Sequence, residues 1–245
     1  MFISTHAYSA QVLGQRESET LPKFMQDLQH LRQLQAAWAN SKITQRTAQL
    51  LALAERIEAN KPELAAAVCM EVGRCLRECE AEIDKTVDLI RYYAKLAPEL
   101  LDSKTITTQA SLSQVRFEPL GVVLAVMPWN YPVWQIMRFA VPALCAGNAC
   151  LVKPAPSVAQ VTAKLMALVD EAMPLHASYI EHDLIETAIE NADAMAFTGS
   201  TDTGRYLASL AGKHIKKCVL ELGGSNAFIV LDDADVEQAA HDVVY

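Results

Sequence analysis

The sequence lacks the features that mark several large classes of protein. Its 245 residues hold 21 Lys and Arg against 29 Asp and Glu, a formal net charge of −8, and the basic residues form no run. This balance argues against a general nucleic-acid binder. No apolar stretch reaches the length of a membrane span, and residues 1–6 lack the basic start of a signal peptide. We therefore expect no nucleic-acid partner, no membrane partner and a location in the cytoplasm.

The six cysteines form neither a disulfide framework nor a zinc motif. Disulfide frameworks belong mainly to small secreted chains, and neither a C-x-x-C spacing nor a nearby pair of histidines occurs beside these cysteines. We expect reduced thiols and no metal site. What the chain has in quantity is apolar residues, 51% of the total, enough for a sizeable core in one large domain or two small ones.

The first half of the chain has a helical pattern. Residues 1–20 are polar and predict irregular structure, whereas residues 21–101 predict helices. Apolar residues from Ile83 to Ala94 recur at spacings of four, three and four, which is typical of one buried helix face. Residues 105–117 are rich in Thr, Ser and Val and predict a pair of strands.

The second half alternates short apolar runs with helical segments. We predict strands at 122–127, 150–153, 194–197, 219–221 and 227–230, and helices at 132–145, 158–173 and 202–211. Strands that alternate with helices predict an α/β fold with a doubly wound, mostly parallel sheet, Rossmann-like in kind.

Glycine and hydroxyl residues follow one predicted strand at Phe197-Thr198-Gly199-Ser200. The N–H groups at the start of a helix suit a phosphate, and Gly199 allows close approach of the backbone. The spacing G-x4-G is neither the G-x-G-x-x-G dinucleotide fingerprint nor a P-loop. On its own, the segment fits a simple helix N-cap about as well.

Three other polar residues lie at predicted strand ends, where open α/β sheets bind ligands. Asn130 in Pro128-Trp129-Asn130 can donate to a developing oxyanion, or it can cap the next helix. Glu221 before Gly223 can act as a general base, or it can be a solvated residue of a turn. Lys153 can bind a ribose or phosphate, or it can be a surface lysine.

These motifs occur in the order found in aldehyde dehydrogenases. From about residue 119 to residue 236 the chain resembles that family, most closely in the run Lys216-Lys217-Cys218-Val219-Leu220-Glu221-Leu222-Gly223-Gly224. The resemblance implies three parts: an N-terminal helical region (1–104), oligomerisation-type strands (105–118) and a Rossmann-like NAD(P)-binding part (119–245), with the catalytic domain absent. It also implies an aldehyde substrate and a homo-oligomer when the fold is complete.

Residue roles follow from the same resemblance. Asn130 is similar to the oxyanion-hole amide and Glu221 to the general base. Arg138 is similar to the arginine that meets the distal carboxylate of succinate semialdehyde, and a guanidinium suits a carboxylate; it could equally be a surface arginine. The residues similar to cofactor contacts of NAD or NADP are Trp129, Lys153, Gly199, Ser200 and Leu222.

The sequence departs from the family pattern at several places. The chain stops 24 residues after Glu221, before the expected nucleophilic cysteine, and none of its six cysteines stands in that context. Pro156 replaces a glutamate common in NAD-preferring relatives, which leaves NAD against NADP open. Residues 174–182 are shortened, so we expect an incomplete or rearranged sheet there. Two alternatives to a succinate-semialdehyde-type dehydrogenase follow: an inactive NAD(P)-binding remnant and an interaction protein without cofactor.

Overall fold

The computed structural model describes residues 1–244, so the predicted boundary at Tyr245 lies outside the described residues. A β-hairpin opens the chain, with β1 (Phe2–Thr5) antiparallel to β2 (Val12–Arg16). The prediction of irregular structure over residues 1–20 was therefore wrong. Phe2 is fully buried, and its ring meets the ring of Tyr179 edge-on with 5.5 Å between centroids. A contact so distant in sequence leaves no local pattern.

Four helices follow the hairpin: α1 (Leu21–Asn40), α2 (Ile43–Ala59), α3 (Lys61–Val72) and α4 (Leu76–Leu100). This confirms the predicted helical region. The expected apolar face of α4 is buried from Cys79 to Ala97. Two strands of two residues each, β3 (Lys104–Thr105) and β4 (Gln114–Val115), then form the expected antiparallel pair.

The remaining chain alternates strands and helices: β5 (Val122–Val126), α5 (Pro132–Cys145), β6 (Ala149–Lys153), α6 (Ala159–Met166), β7 (Leu175–Ala177), α7 (Ile185–Asn191), β8 (Ala194–Gly199), α8 (Thr201–Lys213), β9 (Lys217–Leu222) and α9 (Val236–Val244). Short 3-10 turns occupy Pro156–Val158 and His182–Leu184.

The five strands from β5 to β9 form one parallel sheet in the order β7-β6-β5-β8-β9. The chain moves outward from β5 first on one side and then on the other, as a doubly wound sheet requires. The predicted fold class is confirmed. The strand β7 is present beside β6, so the shortened segment at residues 174–182 does not leave the sheet without its edge strand.

Two cores cover the two faces of this sheet. Leu124 and Leu151 point to a core shared with α1, α7 and α8, whereas Ala125 and Val152 point to a core shared with α2, α4 and α5. This alternation explains why the strands are continuous apolar runs: both faces are buried. None of the helices within residues 1–244 is both long and apolar enough to cross a membrane.

Two other predictions about elements were wrong. The helix predicted for 158–173 ends at Met166, because the chain tightens into i→i+3 bonds and Asp170 then accepts from the N–H of Ala172 at 2.9 Å. The predicted strand 227–230 is not formed. Those residues pair with no strand among residues 1–244, and the side chain of Ile229 is 79% exposed.

Candidate functional site

The predicted site residues come from the carboxyl ends of β5, β6, β8 and β9. The two connections that leave β5 and β8 run to opposite sides of the sheet, so the crevice between these neighbouring strands is a switch point of the fold. Gly199 ends β8, Glu221 is the last residue but one of β9, and Asn130 follows β5. The topology thus gathers these three residues at one edge.

A small cavity of about 150 Å³ opens at this edge, lined by Met127, Gln135, Arg138, Phe139, Ala196, Phe197, Thr198, Val219 and Glu221. Its two charged residues face each other: Arg138 Nη2 lies 3.1 Å from Glu221 Oε2. Both side chains are largely exposed to solvent, so the ion pair is accessible from outside. Arg138 is an exposed residue, as the alternative of a surface arginine requires, and it pairs with Glu221.

The segment Gly199-Ser200 leads directly into α8. The Ser200 hydroxyl is the N-cap, accepting from the N–H of Thr203 at 3.3 Å and lying 2.9 Å from the Thr203 hydroxyl. Capping and phosphate binding are compatible, because the first-turn N–H groups and the helix dipole still face the edge of the sheet. Leu222 packs on α8 beside Gly204, where a Cβ would lie 2.4 Å from Leu222 Cδ2.

Asn130 and Trp129 lie in the exposed turn between β5 and α5. The Asn130 side-chain oxygen accepts from the N–H of Tyr131 at 3.1 Å, and Trp129 is 56% exposed. Asn130 is not the cap of α5, because the residue at that position is Tyr131. Its side-chain oxygen bonds the N–H of the next residue, Tyr131.

The start of α5 is held by a residue that the sequence did not reveal. Glu82 of α4 is buried, and one carboxylate oxygen accepts from the N–H groups of Val133 at 2.9 Å and Trp134 at 3.0 Å. Its other oxygen forms an ion pair with Arg74, whose guanidinium stacks on the Tyr131 ring. An available signal was the position of this glutamate beside Ile83 on the buried face of α4.

A second buried carboxylate does the same for α6. Glu71 accepts from the N–H groups of Gln160 at 3.1 Å and Val161 at 2.8 Å, and from the Ser4 hydroxyl. Burial raises the pKa of Glu71, while these three hydrogen bonds oppose that shift. Both carboxylates act on helices that flank predicted site residues: α5 follows Asn130 and α6 follows Lys153.

Lys153 ends β6 but is not at the surface. Its side chain lies under the N-terminal hairpin, with Nζ 5.5 Å from the centroid of the Phe2 ring and 3.4 Å from the carbonyl oxygen of Pro154. Burial lowers the pKa of Lys153, and the negative charge of Glu181 partly opposes this shift. The structure does not place this ammonium beside Gly199 or Glu221; it lies two strands away from β8.

The cysteines are all free thiols, and none of them lines the cavity at Arg138. Burial raises the pKa of Cys79 and of Cys145 to about 11, and it also raises the pKa of Cys150 and Cys218. A raised pKa favours the unreactive thiol over the thiolate. The remaining two, Cys69 and Cys75, belong to α3 and to its junction with α4.

Comparison with known proteins agrees with this geometry. The profile described as "Aldehyde dehydrogenase family" matches residues 3–245. The chain belongs to the aldehyde dehydrogenase family. It is 35% identical over 257 residues to the succinate semialdehyde dehydrogenase [NAD(P)+] Sad of Escherichia coli (strain K12), a match that covers 98% of this chain and 54% of the relative.

Two further relatives are also succinate-semialdehyde dehydrogenases by name. It is 42% identical over 194 residues to a probable succinate-semialdehyde dehydrogenase [NADP(+)] of Synechocystis sp., covering 76% of this chain and 42% of that protein. The crystal structure of the succinic semialdehyde dehydrogenase of Streptococcus pyogenes with NADP+ superposes with a TM-score of 0.92 at 30% identity, covering 97% of this chain and 54% of that one. The chain therefore spans about half the length of the relatives that it matches.

Proposed function

We propose that this chain forms the cofactor-binding part of an NAD(P)-dependent dehydrogenase that oxidises succinate semialdehyde to the acid. The observation that carries the proposal is the pairing of Arg138 with Glu221 at the carboxyl edge of the sheet. A cationic group that can bind a distal carboxylate there stands beside a carboxylate that can act as a base. The names of the E. coli and Synechocystis relatives support the choice of substrate.

The residues that would hold the cofactor surround the start of α8. Gly199 and Ser200 would meet the pyrophosphate, Trp129 and Leu222 would line the cofactor cleft, and Lys153 would bind the adenosine ribose. A Cβ at position 199 would lie 2.5 Å from Phe197 Cζ, so only glycine fits there. The absence of a side chain leaves the backbone accessible to the pyrophosphate. Lys153 can bind the ribose only if the N-terminal hairpin that covers it moves away, since Lys153 is 5% exposed. NADP is favoured by the relatives, and NAD remains the alternative.

The chemistry assigns one task to each remaining residue. The Asn130 amide would donate to the aldehyde oxygen as negative charge develops on it. Glu221 would accept a proton from the attacking thiol, which the catalytic domain would supply, and later from the water that releases the acid. Arg138 would orient the substrate through its distal carboxylate. Bound NAD(P)+ would supply the hydride acceptor.

A second candidate function is binding of NAD(P) without oxidation. The specific observation in its favour is that burial raises the pKa of four of the six thiols, those of Cys79, Cys145, Cys150 and Cys218. Without a thiolate at the carboxyl edge, the chain could hold the cofactor and do no chemistry. A third candidate, an interaction protein without cofactor, gains no support from the ordered start of α8.

Two further expectations accompany the proposal. The strands β3 and β4 would be the oligomerisation segment, because Ile106 and Phe117 beside them are 51% and 50% exposed. The cytoplasm remains the predicted location, in keeping with six free thiols.

Equilibrium binding of NADP+ and NAD+ to the purified chain tests the proposal, with an assay of succinate semialdehyde oxidation on the same sample. We expect Lys153→Ala to weaken binding of the preferred cofactor, and Lys164→Ala, at an exposed lysine of α6 paired with Glu63, to leave it unchanged. Binding with oxidation would support the dehydrogenase. Binding without oxidation is expected both of the cofactor-binding part on its own and of the second candidate, and no binding of either cofactor would overturn both.

A further inference from the structure

A second cavity, of about 620 Å³, lies at the β7 edge of the sheet and shares no lining residue with the cavity at Arg138. Its walls come from the segment before α1, from α1, from α6 and the turn that follows it, and from β7. None of the residues predicted for aldehyde chemistry lines it. The polar residues on its walls are Arg16, Glu19, Lys23, Asp27, His30, Asp170, Glu171 and His176.

Three of these polar residues converge. Glu19, Asp27 and His176 each offer a ligand atom within 4.8 Å of the other two, and all three side chains are half-buried. His176 Nε2 lies 3.7 Å from Asp27 Oδ2. Metal–ligand bonds of about 2.0–2.2 Å put neighbouring ligands of a tetrahedral zinc ion about 3.4 Å apart. The observed spacing therefore needs only small side-chain movements to enclose an ion.

The surroundings of Glu19 resemble the outer shell of a metal ligand. One carboxylate oxygen accepts from the N–H of Tyr179 at 2.8 Å, and the other accepts from the buried hydroxyl of Ser178 at 2.6 Å. Such bonds fix a carboxylate and leave a second lone pair on each oxygen for an ion. The carboxylate is thus oriented by the strand end that also carries His176.

The net negative charge of the three residues favours binding of a divalent cation. Two carboxylates and a neutral imidazole give the cluster a formal charge of −2, and Lys23 neutralises part of it by pairing with the Oδ1 atom of Asp27. The Oδ2 atom, which faces His176, is the one that remains for an ion. The alternative explanation is an ion-pair cluster of Lys23, Asp27 and His176, with Glu19 bonded separately to Ser178 and Tyr179; metal titration distinguishes the two.

We propose that Glu19, Asp27 and His176 bind a divalent transition-metal ion of the zinc type. The imidazole ligand favours zinc and its neighbours over Mg²⁺ or Ca²⁺, which prefer oxygen ligands alone. Three protein ligands leave a fourth position that opens into the cavity. The ion would tie the segment before α1, the helix α1 and the edge strand β7 together. The sequence predicted no metal site because it lacks cysteine motifs for zinc. Ligands as far apart in sequence as Glu19, Asp27 and His176 form no such motif.

The test is Zn²⁺ binding to the full chain after removal of all metal, measured by calorimetric titration, with Mg²⁺ in a parallel titration. Co²⁺ in place of Zn²⁺ adds a spectrum, because thiolate ligands produce a charge-transfer band that a His and two carboxylates do not. This distinguishes the proposed site from binding to Cys69, Cys75 or Cys79. We expect one Zn²⁺ per chain, weaker binding of Mg²⁺, and a Co²⁺ spectrum without the thiolate band.

Variants assign the ligands. His176→Gln and Asp27→Asn should each weaken Zn²⁺ binding by more than about tenfold. His182→Gln removes an exposed histidine outside the cavity and should leave the affinity unchanged. The His176 side chain is 44% exposed, so its replacement should not prevent folding, which circular dichroism can check. Zn²⁺ binding that His176→Gln leaves intact, a thiolate band with Co²⁺, or no Zn²⁺ binding would each overturn the proposal.

Discussion

The guanidinium of Arg138 on α5 lies 3.1 Å from the carboxylate of Glu221 on β9. In the proposed function these groups have separate tasks, one toward the distal carboxylate of the substrate and one as a base. In the structure the two groups form an ion pair with each other. A substrate carboxylate that binds Arg138 must therefore compete with Glu221, and its binding would release Glu221 for proton transfer.

This competition predicts opposite effects for two substitutions. Glu221→Gln should tighten binding of succinate, a dicarboxylate probe, by about two- to fivefold, since an exposed ion pair is worth about 0.5–1 kcal/mol. Arg138→Gln should weaken it by at least as much, because the cation is lost. Calorimetric or NMR titration of the chain with succinate measures both.

Arg205→Gln serves as the control, because Arg205 pairs with Asp202 at the exposed start of α8 and lies outside the cavity. It should not alter succinate binding. If Glu221→Gln weakened succinate binding instead, the two carboxylates would not be competitors, and Arg138 would need another role.

Gly199 is predicted to be intolerant of any side chain. In Gly199→Ala the new Cβ would lie 2.5 Å from Cζ of Phe197, a ring that is only 5% exposed and packed in the core. Relief of such a contact costs about 1–3 kcal/mol. Urea unfolding should show this loss, and cofactor affinity should fall with it because the turn before α8 must shift.

Gly212→Ala, in the helix α8 that follows this turn, is the matched control. A Cβ there meets nothing within 4 Å, so the substitution should stabilise α8 by about 0.5 kcal/mol through better helix propensity. A Gly199→Ala variant as stable as the parent chain would show that Phe197 can move aside. The steric reason for this glycine would then be wrong.

The order of strands and helices between residues 122 and 222 could be predicted because it depends on local patterns. A strand buried on both faces, such as Val122–Val126, is a continuous apolar run whatever its partners are. The hairpin β1–β2 could not be predicted, because Phe2 is held by Tyr179 from the far end of the chain. The predicted strand 227–230 was wrong for the converse reason: an apolar run is not sufficient without a neighbouring strand to pair with.

In the candidate site, too, the features that follow from local sequence patterns could be predicted, and those that depend on distant contacts could not. Strand ends located Gly199 and Glu221 at one edge, but the ion pair with Arg138 depends on how α5 lies against β9. The cap that Glu82 provides for α5 joins two helices and has no local signature beyond a glutamate on an apolar face. The burial of Lys153 depends on the hairpin, whose formation the sequence did not reveal.

The buried carboxylate of Glu82 is expected to be essential for the position of α5. Glu82→Ala removes the acceptor for two N–H groups and leaves the guanidinium of Arg74 without its partner. Breaking a buried pair in this way costs about 3–5 kcal/mol. Urea unfolding should report this loss.

Glu78→Ala removes an exposed carboxylate from the first turn of the same helix and should change the free energy of unfolding by less than about 0.5 kcal/mol. Equal effects of the two substitutions would mean that the loss comes from the helix α4 itself. The cap on α5 would then contribute little.

Lys153 predicts a dependence of stability on pH. Burial lowers the pKa of Lys153 in the folded chain from its ordinary value of 10.5. Between the two pKa values the unfolded chain holds a proton that the folded chain has released, so the free energy of unfolding rises with pH across that window. Below the folded pKa, both states are protonated and the full cost of burying the charge remains.

Lys153→Met keeps the aliphatic stem and removes the charge. It should therefore raise the free energy of unfolding at neutral pH, by about 1 kcal/mol, and this advantage should shrink as the pH approaches about 10. Urea unfolding of both proteins over this pH range measures it. Lys164→Met, at an exposed lysine of α6, should show a difference that stays flat with pH. A constant difference for Lys153→Met would mean that the ammonium is solvated in the folded chain. The lysine would then be accessible to a ribose without any opening of the hairpin.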